Sequence, residues 1–140
     1  MTVAAEDLMM QGASLHVGDR GSTLVKKLSG RYHALPVVND DCEVVGIVSE
    51  QSILRALRTE KTLFKCTAGM LMTCGHLGHE SCGDPVAVSP DTPVRDVVRT
   101  MLREQLSVVP VVKRRKLVGL LSRKDLVSLE KPGLPSPLHE

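Results

Sequence analysis

Two short stretches of this chain concentrate the side chains that can do chemistry. Ser122-Arg123-Lys124-Asp125 puts a hydroxyl and a carboxylate three positions apart, where an apolar run gives way to a helix. A hydroxyl at a helix N-cap and an acidic group at N3 form a capping box, each accepting a backbone N–H from the other's residue. The carboxylate also suits the positive end of the helix dipole. Arg114, Arg115 and Lys116, with Arg123 and Lys124, make the densest basic cluster, and such runs are usually solvated. Arg123 and Lys124 adjoin the helix start, where either can meet a polyphosphate. Cys74-Gly75-His76-Leu77-Gly78-His79-Glu80-Ser81-Cys82 holds two thiols and two imidazoles within nine residues, and zinc takes such ligands. Its Cys-x-His spacing is tighter than the usual Cys-x2-Cys knuckle, and its glycines describe a flexible loop, so no native metal site is expected. No Gly-x-Ser-x-Gly, His-Glu-x-x-His or Gly-x-x-x-x-Gly-Lys-[Ser/Thr] pattern occurs, which leaves hydrolase, zincin and P-loop chemistry without support.

These residues sit in an internal repeat. Ala34-Leu35-Pro36-Val37-Val38 recurs as Val108-Val109-Pro110-Val111-Val112. Val44-Val45-Gly46-Ile47-Val48-Ser49 recurs as Leu117-Val118-Gly119-Leu120-Leu121-Ser122. The two prolines are 110 − 36 = 74 positions apart and the two glycines 119 − 46 = 73, so one residue is lost in the connecting turn. Each unit reads as strand, helix, two strands and helix. In the second unit these are a strand at Val86–Val88, a helix after the N-cap Thr92, strands at Val108–Val112 and Lys116–Leu121, and a helix capped by Ser122. Val94, Val97, Val98, Met101 and Leu102 mark the inward stripe of its first helix. Leu126, Val127 and Leu129 mark that of its last. In the first unit, Leu15–Val17 is the strand, and Leu24, Val25 and Leu28 turn inward from a helix at Thr23–Leu28. Ile53, Leu54 and Leu57 turn inward from its last helix. From Val17 to Pro36 is 19 positions against 22 from Val88 to Pro110, which implies that the first unit has lost about one helical turn. The chain therefore divides into a unit at 1–62, a unit at 63–130 carrying the Cys/His loop, and a disordered tail at 131–140 with no periodicity.

Composition bounds the partners. Among 140 residues, 42% are hydrophobic and 1% aromatic, so the core is aliphatic and no stacking platform for single-stranded nucleic acid exists. Eighteen basic against sixteen acidic residues give +2, too balanced to point to nucleic acid or membrane. No apolar run is long enough to span a bilayer. The first residues lack the pattern of a secretory signal, so the four cysteines read as reduced thiols of a cytoplasmic protein.

The pattern V-x-P-D-T-P-V, helix, h-P-V-V, turn, h-V-G-h-h-S-x-x-D, matched throughout from Val88 to Asp125, resembles that of tandem CBS-domain (Bateman) proteins. So do the lead-ins Glu6-Asp7-Leu8-Met9 and Gly69-Met70-Leu71-Met72. The resemblance implies a mixed α/β fold of two β-α-β-β-α repeats about a pseudo-two-fold axis. It implies a regulatory module that is not an enzyme, needs no cofactor and binds an adenine nucleotide (AMP, ADP or ATP) or S-adenosylmethionine between the repeats. It also implies a homodimer held by helix faces and a regulated protein partner. On this resemblance Ser122 faces phosphate and Asp125 accepts ribose hydroxyls, with Arg123, Lys124, Val88, Ser89, Val108, Val109 and Pro110 around them and His33 in the opposite cleft. The first unit has Ser52 where the second has Asp125, so at most one ribose site is expected. A ligand-free dimerisation scaffold, and a metal- or redox-responsive protein using Cys74, His76, His79 and Cys82, remain open beside the ligand-sensing reading.

Overall fold

The computed structural model describes residues 3–10, 13–28, 34–58, 65–73 and 85–127. Its elements run α1 (Ala5–Leu8), β1 (Leu15–His16), α2 (Gly21–Leu28), β2 (Ala34–Val38), β3 (Val44–Ser49), α3 (Glu50–Arg58), α4 (Ala68–Leu71), α5 (Val94–Glu104), β4 (Val108–Lys113), β5 (Lys116–Ser122) and α6 (Arg123–Val127). The fold is mixed α/β. One sheet has the order β1-β2-β3, with β1 parallel to β2, and the other is the antiparallel pair β4-β5. Both hairpins are buried at their centres, and one aliphatic core runs from Leu15, Leu24 and Val37 to Val109, Val111 and Leu121.

The segment at Val86–Val88 is not a strand. Val88 makes a single parallel bridge to Val111, donating to the Pro110 carbonyl and accepting from the Val112 amide. Extending the ladder would require donors from Pro110 toward Val86 and from Pro90 toward Val112. Proline has no N–H, so both rungs are missing. In the first unit the residue matching Pro90 is Val17, whose amide does reach the Val38 carbonyl, at 3.0 Å, and β1 forms. The bridges Leu15–Val37 and Val88–Val111 also correct the alignment of the repeats. From Leu15 to Pro36 is 21 positions and from Val88 to Pro110 is 22, so one residue separates the units here rather than a helical turn.

The lead-ins are exchanged between the repeats. The first packs on the second unit: the Ala5 amide donates to Thr92 O, the Val94 amide to Val3 O, and Met10 pairs with Leu120. The second packs on the first unit: the Ala68 amide donates to Asp19 O, the Gly69 amide to Val17 O, and Thr73 pairs with Ile47. This exchange overturns the expected cap of α5. Thr92 turns back to accept from the Ser89 amide at 3.0 Å, and Val3, not Thr92, meets the first amide of the helix. His16 and Asp19 repeat the same turn in the first unit, with the His16 amide donating to Asp19 Oδ2.

Each lead-in lies on a strand glycine. A Cβ built on Gly119 would stand 2.7 Å from Met9 Sδ, and one on Gly46 would stand 2.8 Å from Met72 Sδ and 2.9 Å from the Thr73 carbonyl. At the far end of the sheets the hairpin tips are stitched together. Glu43 pairs with Lys116, and the Leu117 amide donates to Cys42 O at 3.0 Å.

The helices bury less than their periodicity implies. Leu24 and Leu28 of α2 are buried, whereas Val25 is exposed. On α5, Val94, Val97 and Met101 are buried but Leu102 is 74% exposed. On α3, Ala56 and Ser52 face in, Ile53 packs on the rim of the core, and Leu54 and Leu57 are exposed. On α6, Leu126 is buried and Val127 exposed. Two thin sheets and short helices leave an outer face that the described residues do not cover.

Overpacking a filled contact typically costs about 1–3 kcal/mol. Gly119→Ala and Gly46→Ala are both expected to lower the melting temperature. The loss should be larger for Gly46→Ala, because the Thr73 carbonyl is backbone whereas a thioether can turn aside. Asp19 supplies a pH-dependent counterpart. Burial acts to raise its pKa, but the His16 amide and the Lys27 ammonium outweigh burial and hold the carboxyl below its ordinary value. A lowered folded-state pKa gives stability that is present above the unfolded pKa and lost as pH falls through the folded one. The stability advantage of the wild type over Asp19→Asn should therefore be full near neutrality and shrink in acid, as thermal melts across a pH series would show.

Candidate functional site

Strand β5 ends at Ser122, which is 5% exposed, and α6 begins at the next residue. Ser122 pairs across the sheet with Val108, so its position is set by the antiparallel register of β4 and β5. The Arg123 amide donates to Ser107 O at 2.9 Å and closes that corner. Asp125 then folds back onto the strand end. Its Oδ2 accepts from the Ser122 amide at 3.2 Å and from Ser122 Oγ at 2.8 Å, while its own amide donates to Ser122 Oγ at 3.2 Å. This is the reciprocal capping box, with the carboxylate half-exposed beside a buried hydroxyl.

The first unit builds the same box without charge. The Ser49 amide donates to Ser52 Oγ at 3.2 Å, the Ser52 amide donates to Ser49 Oγ at 3.3 Å, and the hydroxyls lie 3.2 Å apart. Ser52 is 6% exposed. A neutral hydroxyl thus fills the structural place of Asp125, and what the second unit adds is a carboxylate. A carboxylate accepts at two oxygens, which suits a pair of neighbouring hydroxyls.

The expected site residues do not all meet. Ser122 and Asp125 are in direct contact, and Val108, Val109 and Pro110 run beside β5 opposite Ser122, Leu121 and Leu120. Val88 lies across β4 from them. Ser89 is carried to the other end, toward Val112, roughly four residues or ~13 Å along β4 from Val108. There its hydroxyl bonds Asp91 and Thr92. Arg123 does not point at the box: its guanidinium donates to Leu106 O at 3.3 Å. Lys124 is exposed. His33 and the stretch Cys74 to Cys82 lie outside the described residues. Cys42 is exposed, Cys66 is buried, and both are free thiols.

Periodicity gave no sign of a second feature. Val98, Met101, Leu102, Leu106, Leu126 and Val127, with Gln105 and Arg123, line an apolar groove of about 620 Å³ between α5 and α6. Leu102 and Val127, assigned to inward stripes, instead form its exposed rim. Among the described residues no helix is long and apolar enough to cross a membrane.

Comparison with known proteins follows the repeat. The CBS domain model matches residues 5–59 and 81–131. YlbB of Bacillus subtilis is 33% identical over 105 residues, covering 73% of this chain and 64% of its own length. MJ1225 of Methanocaldococcus jannaschii is 28% identical over 94 residues, covering 67% of this chain and 30% of its own. The chain therefore spans less than two thirds of these curated relatives. Three solved structures share the fold. Hypoxic Response Protein I, with two coordinated zinc ions, has a TM-score of 0.76 at 19% identity, over 95% of this chain and 100% of that one. A CBS domain protein of Pyrobaculum aerophilum complexed with AMP has 0.69 at 23%, over 89% and 90%. The CBS domain pair of MJ0100, in complex with 5′-methylthioadenosine and S-adenosyl-L-methionine, has 0.71 at 22%, over 92% and 96%.

The two boxes can be told apart by exchange. Losing a cap costs about 0.5–2 kcal/mol, so Asp125→Ala should lower the melting temperature. Asp125→Ser, which copies the first unit, should restore most of it.

Proposed function

We propose that this chain, which belongs to the CBS-domain family, is a regulatory ligand-sensing module. It binds one adenine nucleotide or related adenosyl compound through its second unit. The observation that carries this reading is the contrast between Ser122–Asp125 and Ser49–Ser52. Both pairs close the same box, so the cap alone does not call for a carboxylate. A carboxylate is a charged acceptor at two oxygens, and a ribose diol supplies matching donors. The adenosyl ligands of the Pyrobaculum aerophilum protein and of MJ0100 support the same class here.

In this reading Asp125 receives the ribose and Ser122 holds Asp125 in place while facing phosphate. Val108, Val109, Pro110 and Val88 wall the cleft, and Lys124 adds positive charge. Ser89 and Arg123 stand apart from the box, and the assignment of His33 to the opposite cleft rests on the family resemblance alone. The module is not an enzyme and carries no cofactor. It works in the cytoplasm on a regulated protein, without nucleic acid or membrane. Its units are 1–62 and 63–130, with 131–140 outside both. The alternative, a ligand-free dimerisation scaffold, draws on a separate observation, the apolar groove between α5 and α6. A homodimer through these helix faces would bury Leu102 and Val127. A metal- or redox-responsive role for Cys74, His76, His79 and Cys82 has the zinc ions of Hypoxic Response Protein I in its favour.

Titration with AMP, ADP, ATP and S-adenosylmethionine, followed by thermal shift and calorimetry, should find one of them binding at one site per chain. Hydrogen bonds to charged groups contribute roughly 1.5–3 kcal/mol, so Asp125→Ser should weaken that ligand about ten-fold or more with little change in melting temperature. Ser52→Asp should raise the stoichiometry. Unchanged affinity in Asp125→Ser would sink the ribose assignment. Light scattering at micromolar concentration is expected to give a dimer mass for the wild type and a monomer mass for Leu102→Glu/Val127→Glu. A wild-type monomer would count against the dimer.

A further inference from the structure

The tip of the β4–β5 hairpin breaks two local rules at once. It is a two-residue connection in which Arg114 and Arg115 both take positive φ, 54° and 70°. That conformation favours Asn-Gly and is strained for residues with a side chain. Lys113 and Lys116 are directly paired across the strands, an arrangement in which like charges repel. All four side chains are exposed, and among the described residues none of them pairs with a carboxylate. The run also concentrates the charge of the molecule. Without these four, 14 basic residues face 16 acidic ones, so the rest of the chain is net negative. The tip is braced as well: Arg115 O accepts from the Val44 amide, and the backbone of Lys116 bridges to that of Glu43 in the neighbouring hairpin. Strained backbone and gathered like charge persist where something outside the local structure uses them.

We propose that this tip is a docking site for a short acidic segment of a partner protein. The flanking charges favour a protein over a nucleic acid. The neighbouring tip carries Asp40, Asp41 and Glu43, which would repel a phosphate backbone running past the four cations. A brief run of carboxylates bordered by basic residues matches both halves of this surface. The site is separate from Asp125, so it stands or falls independently of nucleotide binding.

The test uses a fluorescent peptide of four consecutive glutamates flanked on each side by two lysines, followed by anisotropy at low and physiological salt. A peptide of the same composition with lysine and glutamate alternating is the control, and a single-stranded oligonucleotide is the competitor. The block peptide should bind more tightly than the alternating one, and less tightly as salt rises. Arg114→Asn/Arg115→Gly installs the residues the turn prefers. It should raise the melting temperature while weakening the peptide about five- to ten-fold, the effect of losing two exposed ion pairs. Lys113→Gln/Lys116→Gln, which leaves the turn residues alone, should weaken it as well. Equal binding by the variants and the wild type would overturn the proposal. So would no binding at low salt, or an oligonucleotide binding more tightly than the block peptide.

Discussion

Two thioethers resting on two strand glycines tie the repeats into one body. Met9 belongs by sequence to the first unit and lies on Gly119 of the second, while Met72 lies on Gly46 in the reverse sense. Because each contact closes one repeat with a segment of the other, neither sheet edge is finished by its own unit. Met10 completes the edge beside Leu120, and Thr73 completes the edge beside Ile47. The caps follow from the same exchange, since Val3 takes the first amide of α5. A glycine is required in each strand because a side chain there would occupy the volume that the methionine fills.

Much of this was legible in the residues themselves. The offset between Pro36 and Pro110 and that between Gly46 and Gly119 identified two related units, and the hairpins formed where the apolar runs placed them. What periodicity missed has two causes. First, an apolar stripe states which residues are hydrophobic but not whether this chain supplies the surface that covers them. Leu54, Leu57, Leu102 and Val127 are apolar and exposed for that reason. Second, a missing donor acts on a neighbouring segment rather than on its own. Pro110 and Pro90 reduce Val86–Val88 to one bridge although those residues have high strand propensity. The exchange of the lead-ins left no local mark, because a short helix followed by methionine reads the same whichever sheet receives it.

The candidate site was legible to a different depth. The capping box could be read from Ser122 and Asp125 by spacing alone, and it formed. That Ser52 would build an equivalent box with hydroxyls could not be read from sequence, because serine at N3 is not the usual partner. This neutral twin shows that the box itself closes without a carboxylate. Ser89, by contrast, is adjacent in sequence to Val88 but is carried away from the box by the direction of the parallel bridge.

The exchanged lead-ins also set an order of assembly. During synthesis residues 3–10 are made before β5, and their resting place on Gly119 and Leu120 follows more than a hundred residues later. Contacts between such distant positions carry a large loop-closure cost and slow folding. The first sheet can close once Thr73 is available, whereas the first lead-in must wait with Met9 and Met10 uncovered until β5 exists. Vectorial synthesis thus leaves the first lead-in to dock after the first sheet can close. Until then its apolar surface stays open to chaperones and to mispairing with another copy.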